Sequence, residues 1–332
     1  MTPPSTDRFT LIETDAQVAL DTLAQDVARG LTAAPKTLRC RHFYDQRGSA
    51  LFEAICDLPE YYVTRAEREI LLAHAGAIAT SFTEPVTLIE LGSGSAVKTR
   101  LLIEALLAHQ QKLLFVPVDI SQTALEESAV GLLGCYDELE VLGVAAPYDV
   151  GLAHLHAHIT GPRLALWLGS SVGNFAPGAA VAFLRDVATA LDGEADRLLI
   201  GMDLHKDRGV LERAYDDAQG VTADFNLNLL RRINGELGGR FDLARFSHRA
   251  FYDEARGRVE MHIVSKRAQT VAIDHLDLDI AFADGETIHT ENAYKYRIES
   301  IPALLAEAGF VLERQFFDRQ RRFSLNLAYP RR

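Results

Sequence analysis

Short apolar, β-branched runs recur through the first two thirds of the chain. Most are followed by a stretch whose apolar residues fall three and four apart. The runs 86–91, 114–118, 140–144, 164–168 and 197–202 predict strands, and 98–109, 121–133 and 177–191 predict helices. The strand runs are apolar throughout rather than alternating. That is the pattern of a parallel sheet covered on both faces. Upstream, 16–31 reads as a helix behind a short tail, stopping near Pro35, and a second helix follows the turn at Gly48. Leu58-Pro-Glu-Tyr-Tyr-Val-Thr-Arg breaks that helix. Thr64, with Glu67 three residues on, predicts a capping box for a helix over 65–77.

The rhythm changes after about residue 205. A helical region containing Tyr215 and 225–237 gives way to the strand-like runs 244–252, 258–265, 270–276 and 278–282. Some alternate as in an antiparallel sheet with one wet face. A helix over 298–308 and strands over 310–318 and 321–328 close the chain and return to the parallel sheet. The pattern therefore predicts a split α/β domain with 205–294 inserted in it. The segment 289–294 reads as strand-to-loop.

Composition narrows the class. A chain of 332 residues with 48% apolar content can bury a sizeable core, and 24% charged residues suit a soluble surface. A net charge of −12 disfavours nucleic acid or an anionic membrane as partner. Arg319, Arg321 and Arg322 read as the solvated end of a hairpin. The cysteines Cys40, Cys56 and Cys135 fit neither a zinc pattern nor, being odd in number, a closed disulfide framework. With no signal-peptide pattern at the start and no membrane-length apolar run, the expectation is a soluble cytoplasmic protein.

The chemistry begins where the run 86–91 ends. Glu90-Leu-Gly-Ser-Gly94 places Gly92, Ser93 and Gly94 between a strand and a helix that starts near Lys98. Glycines there let the backbone approach a ligand, and the helix start offers free N–H groups. Position 97 is Val where a dinucleotide fingerprint carries a third glycine, and Glu90 precedes the turn as in class I methyltransferases. The motif leans towards S-adenosylmethionine (SAM) rather than NAD. Asp119 ends the second strand, where a carboxylate can accept ribose hydroxyls. Leu168-Gly-Ser-Ser-Val-Gly-Asn174 lies at another strand end. Asn174 there either meets an amino-acid head group or caps a helix.

Several segments together resemble one family. They are Gly30-Leu-Thr-Ala-Ala-Pro-Lys36, Phe43-Tyr-Asp, Leu58-Pro-Glu-Tyr-Tyr-Val-Thr-Arg, Glu90-Leu-Gly-Ser-Gly, Lys98-Thr-Arg, Leu168-Gly-Ser-Ser-Val-Gly-Asn, Ala214-Tyr-Asp-Asp, Val221-Thr-Ala-Asp-Phe-Asn, Glu260-Met261 and Thr290-Glu291. In this order the chain is similar to the SAM-dependent histidine Nα-methyltransferases of ergothioneine biosynthesis. These convert L-histidine to the trimethylated betaine hercynine.

The resemblance implies a class I Rossmann-like SAM domain over 65–204 and 295–332, with a second, α+β substrate-binding domain over 1–64 and 205–294. It implies that Glu90, Gly92, Ser93, Gly94, Lys98 and Asp119 hold SAM, with Tyr148 beside the adenine. Tyr61, Asn174 and Tyr215 would hold the substrate's carboxylate and amine, with Tyr44 near the amine. Tyr44 and Asn174 would be the catalytic pair. Glu291 would accept from the imidazole, with Phe52 and Met261 lining the pocket. The chain departs from the family at Pro147, where an Asp is usual (Asp149 lies on the far side of Tyr148), and at Ala293, where a Ser bonds the second ring nitrogen. SAM is the expected co-substrate, a free amino acid the expected partner, no metal is expected, and the protein is expected to be monomeric. His154, His156 and His158 read as surface residues of a connector.

Overall fold

The computed structural model describes residues 6–13, 16–148, 150–152 and 159–332. Within these the chain forms two units. One comprises Met1–Glu13, Val63–His205 and Lys295–Arg332, and the other Thr14–Tyr62 and Lys206–Tyr294.

The first unit is built on an eight-stranded sheet. Its spatial order is Phe9–Glu13, Leu139–Ala145, Leu113–Asp119, Thr87–Leu91, Arg163–Trp167, Arg197–Asp203, Phe323–Pro330 and Phe310–Phe317. The first six strands are parallel, and the last two form an antiparallel hairpin whose inner strand pairs with Arg197–Asp203. Leu88, Phe115, Leu164, Trp167 and Leu199 are fully buried, as continuous apolar strands require when helices cover both faces. Helix Gln122–Leu133 starts where the Ser121 hydroxyl accepts the Ala124 N–H at 3.3 Å, and helix Pro177–Ala190 starts on a proline, whose missing N–H costs nothing there.

Three expectations are corrected in this unit. The helix after the glycine turn begins at Arg100 rather than near Lys98, because Thr99 gives its hydroxyl to Glu90 instead of to a cap. The helix expected over 65–77 runs Tyr62–Ala79. Thr64 lies inside it, and Glu67 turns fully into the core rather than back to a cap. Phe9–Glu13, expected as part of a tail in the second domain, instead extends the sheet by pairing in parallel with Leu139–Ala145. Five residues carry too short a pattern to register without their partner strand.

The second unit has a four-stranded sheet in the order Lys36–Thr37, Thr287–Tyr294, Arg258–Ser265 and Phe246–Asp253. A separate two-stranded sheet pairs Gln269–Ile273 with Leu278–Phe282. Helices Gln46–Asp57, Arg208–Tyr215 and Val221–Leu237 accompany them. The run expected as a strand over 270–276 stops at Ile273 and turns into a short 3-10 segment. The 289–294 segment, expected to lead into a loop, is a full strand from Thr287 to Tyr294. A bulge between His289 and Glu291 interrupts its alternation and hides its period from sequence. The 154, 156 and 158 histidines and Asp149 lie outside the described residues.

Candidate active site

Strand Thr87–Leu91 has Leu113–Asp119 on one side and Arg163–Trp167 on the other. Strand order reverses at this point, and the crevice outside the carboxyl ends of such strands is where α/β sheets bind ligands. The expected cofactor residues gather here. Gly92 and Gly94 take positive φ, +74° and +49°. A Cβ on Gly92 would stand 2.5 Å from the Tyr148 hydroxyl, so only glycine lets that ring lie against the turn. Tyr148 is held edge-on by Trp167, with ring centroids 6.0 Å apart, and packs against Phe183 at 5.7 Å.

Asp119 braces the turn. Its two oxygens accept the Gly94 N–H at 3.0 Å and the Ser121 N–H at 2.9 Å. Burial pushes its pKa up, and those backbone donors oppose the shift. Each carboxylate oxygen keeps a further lone pair for a hydroxyl donor. Glu90 is buried and accepts the Thr99 hydroxyl at 2.7 Å. Burial raises its pKa to about 8, against the lowering effect of Thr99 and Lys98. Its other oxygen, Oε2, and the Ser93 Oγ are buried without a hydrogen-bond partner.

Two unsatisfied polar atoms beside a glycine cradle fit an amino-acid head group: Glu90, once its proton leaves, offers an acceptor for an ammonium. SAM carries that group, so the residues present fit it. Lys98 adds positive charge for a carboxylate. It is ion-paired to Glu67, which is wholly buried and also accepts the Gly169 N–H through both oxygens, at 2.9 and 3.1 Å. Glu67 thus ties the glycine turn to the end of the neighbouring strand. Sequence reading assigned it to a cap, because nothing local marks a carboxylate whose partners lie 31 and 102 residues away.

Gly169 and Ser170 follow strand Arg163–Trp167 in left-handed conformation, at φ +70° and +61°. They lead into the 3-10 segment Ser171–Asn174. Asn174 does not cap the next helix, whose N-cap is Ala176. That removes the bland reading of Asn174. Sequence reasoning also missed a fully buried ion pair at the next strand end, Lys295 Nζ to Asp203 Oδ2 at 2.8 Å.

In the second unit, Tyr44, Phe52, Tyr61 and Tyr215 form a continuous chain of edge-on rings. Centroid distances run 5.6 Å from Tyr44 to Phe52, 6.4 Å on to Tyr61 and 6.2 Å on to Tyr215. Phe225, from helix Val221–Leu237, joins them at 5.8 Å from Tyr44 and 6.0 Å from Phe52. The sequence places it in a helical region and gives it no role in the site. Asp45 caps helix Gln46–Asp57 through the Gly48 N–H at 2.6 Å, which fixes Tyr44 just ahead of it.

Met261 pairs with Glu291, and Val259 with Ala293, so all four side chains share one face of the sheet. The bulge at Thr290 puts Glu291 on that face. Thr290 itself gives its hydroxyl to Asn226 at 2.8 Å and to the Met261 carbonyl at 3.0 Å. Asn226 in turn donates to His248 Nδ1 at 2.8 Å. This buried polar network anchors the bulge and was invisible to pattern reading. Burial, with the Glu291 charge second, pushes the Cys40 thiol up to about 12, so it stays protonated and inert. Ala293 is buried and offers no hydroxyl. Each unit thus assembles its own share of the expected residues: the SAM set and Asn174 in the first, the tyrosines, Phe52, Met261, Glu291 and Ala293 in the second.

A six-strand parallel sheet finished by an antiparallel hairpin, with a glycine cradle at its switch point, defines a class I SAM-dependent methyltransferase. Residues 23–330 match the family model described as "Histidine-specific methyltransferase, SAM-dependent", and the chain belongs to that family. It is 41% identical over 313 residues to the histidine N-alpha-methyltransferase of Mycolicibacterium smegmatis, covering 94% of this chain and 96% of that protein. It is 32% identical over 280 residues to ergothioneine biosynthesis protein 1 of Neurospora crassa, covering 83% of this chain and 31% of that longer protein. Among solved structures, magnesium protoporphyrin IX methyltransferase from Synechocystis with bound SAH aligns at a TM-score of 0.45 and 13% identity. That alignment covers 88% of this chain and 98% of the other. Among the described residues, no helix is long and apolar enough to cross a membrane.

Proposed function

We propose that this enzyme moves three methyl groups in succession from SAM to the α-amine of L-histidine, giving hercynine in ergothioneine biosynthesis. The observation that carries the substrate is Glu291. A bulge and a buried hydrogen-bond network aim it to the face it shares with Met261, where a carboxylate selects a ring N–H over a plain aromatic ring. In this reading Glu90, Gly92, Ser93, Gly94, Lys98, Asp119 and Tyr148 hold SAM, which supplies an electrophilic methyl on a sulfonium. Tyr61 and Tyr215 take the substrate carboxylate, and Phe52 and Met261 line the ring's surroundings.

The chain's own task is placement and proton removal. The α-amine arrives as an ammonium and must lose a proton before each transfer, so that its lone pair can face the methyl. Burial beside Tyr44 lowers the amine's pKa, and Tyr44 and Asn174 orient it by hydrogen bonds. After the third transfer the product is a quaternary ammonium with no proton to give. The tyrosine faces accommodate it by cation–π attraction. The three cysteines, none in a disulfide, suit a reducing cytoplasm, and the enzyme acts there as a monomer.

The test is mass spectrometry of each proteinogenic amino acid incubated with enzyme and SAM. Gains of one, two and three methyls on histidine alone are expected. Glu291→Ala should lose at least tenfold, and about a hundredfold if the whole of a charged hydrogen bond goes, while SAM binding is kept. Unchanged histidine turnover in that variant refutes the role of Glu291. A second reading, methylation of another aromatic or modified amino acid, is favoured by Ala293, which cannot bond a second ring nitrogen. Turnover of such a substrate above that of histidine would establish it.

A further inference from the structure

On the reverse face of the same sheet, Glu260, His262 and His289 converge. Glu260 and His262 are alternate residues of strand Arg258–Ser265, and His289 stands directly opposite His262 on the adjacent strand. Because Met261 and Glu291 point the other way, this cluster lies outside the site described above. We propose that Glu260, His262 and His289 form a binding site for one divalent first-row transition metal, a staple across the two strands that carry Met261 and Glu291.

The geometry supports an ion rather than a simple polar pair. One ligand atom from each of the three residues lies within 4.8 Å of the other two. His262 Nε2 and Glu260 Oε2 are 3.0 Å apart. Metal bonds of about 2.0–2.2 Å put neighbouring ligand atoms at about that spacing. Two imidazoles and one carboxylate are a donor set for zinc or its neighbours, with water completing the shell at this half-buried surface.

Surrounding residues orient the ligands, as they do in built metal sites. Arg258 holds the other carboxylate oxygen of Glu260 through Nε at 2.9 Å and Nη2 at 2.5 Å, leaving Oε2 for the ion. Asn292 Oδ1 meets His289 Nε2 at 3.0 Å, which fixes that ring's tautomer and leaves the other nitrogen's lone pair available. Phe251 stacks on the His262 ring at 5.4 Å and 19°.

His262 Nδ1 is buried without a hydrogen-bond partner, and a neutral imidazole can carry its single proton there when Nε2 meets an ion.

The experiment titrates Co2+ alone into chelator-treated full-length protein and reads the visible ligand-field absorption, followed by displacement with Zn2+. Because His154, His156 and His158 offer a rival site in the sequence, the parent is the triple variant with each replaced by Gln. The expected result is saturable uptake of one equivalent, weakened at least tenfold in both Glu260→Gln and His289→Gln. Zn2+ should raise the thermal midpoint of the parent and not of His289→Gln, which lies at a half-exposed position. SAM binding in each variant checks folding. No saturable uptake by the parent, or uptake that both substitutions leave unchanged, overturns the proposal.

Discussion

Gly92→Ala separates two physical costs at the centre of the glycine cradle. The first is conformational. Gly92 sits at φ +74°, and a residue with a Cβ loses about 1–2 kcal/mol there. The second is steric. The new Cβ would meet the Tyr148 hydroxyl at 2.5 Å, far inside contact, whereas the nearest ring carbons stand at 3.4 and 3.6 Å. Tyr148 must therefore tilt out of its packing on Trp167 and Phe183, which forfeits about 0.5–1.5 kcal/mol. Together the two terms reach about 1.5–3.5 kcal/mol, enough to weaken SAM binding by roughly 10- to 400-fold if both fall on the bound state. The Gly92→Ala/Tyr148→Phe double variant keeps the first cost and removes the second, because only the hydroxyl is too close. Calorimetric titration with SAM and urea unfolding of the four proteins of this cycle give the coupling directly. A single variant that binds SAM and unfolds like the parent refutes the reasoning. So does a double variant no better than Gly92→Ala.

Three further outcomes follow from the same structure. Ala293→Ser supplies the missing hydroxyl and should tighten histidine binding by up to about tenfold, the worth of a hydrogen bond of 0.5–1.5 kcal/mol; an unchanged KM shows that the ring's second nitrogen is served otherwise. Glu90 has its pKa raised from 4.5 to about 8, so the native state holds a proton that the unfolded chain has given up. Stability of the SAM-free protein must then fall as pH rises through that window, by up to about 1.4 kcal/mol per pH unit, and Glu90→Gln should flatten the fall. A parent and variant with parallel stability profiles would exclude it. Lys295→Met removes the buried cation paired with Asp203, and should cost about 3–5 kcal/mol by urea unfolding; Lys295→Met/Asp203→Leu should recover most of it, and failure to recover counts against the pair as the cause.

The parallel strands, the helices between them and the glycine turn were legible because their determinants are local. An apolar run bounded by turn residues, or a hydroxyl ahead of a helix such as Ser121, carries its meaning within a few positions. The segments shared with the family also identify it from sequence alone, and the match over 23–330 bears that out. What stayed hidden depends on partners distant in sequence. Phe9–Glu13 is a strand only because Leu139–Ala145 presents an edge to it. Thr287–Tyr294 conceals its alternation behind the bulge that turns Glu291 to one face and His289 to the other.

Side-chain roles divide in the same way. The spacing from Thr64 predicts a cap at Glu67, yet burial makes it the carboxylate that joins Lys98 to Gly169. Phe225 in the ring chain and Asn226 beneath the bulge belong to an ordinary amphipathic helix until the sheet is laid against it. By itself the sequence determined the class of fold, the place of the glycine turn and the residue types available for chemistry, since periodicity and turn conformation are local properties of the chain. Only the tertiary structure decided which carboxylates are buried and charged, which faces Glu291 and His289 occupy, and which polar atoms remain to meet a ligand, because burial and hydrogen-bond partnership exist only once distant segments pack.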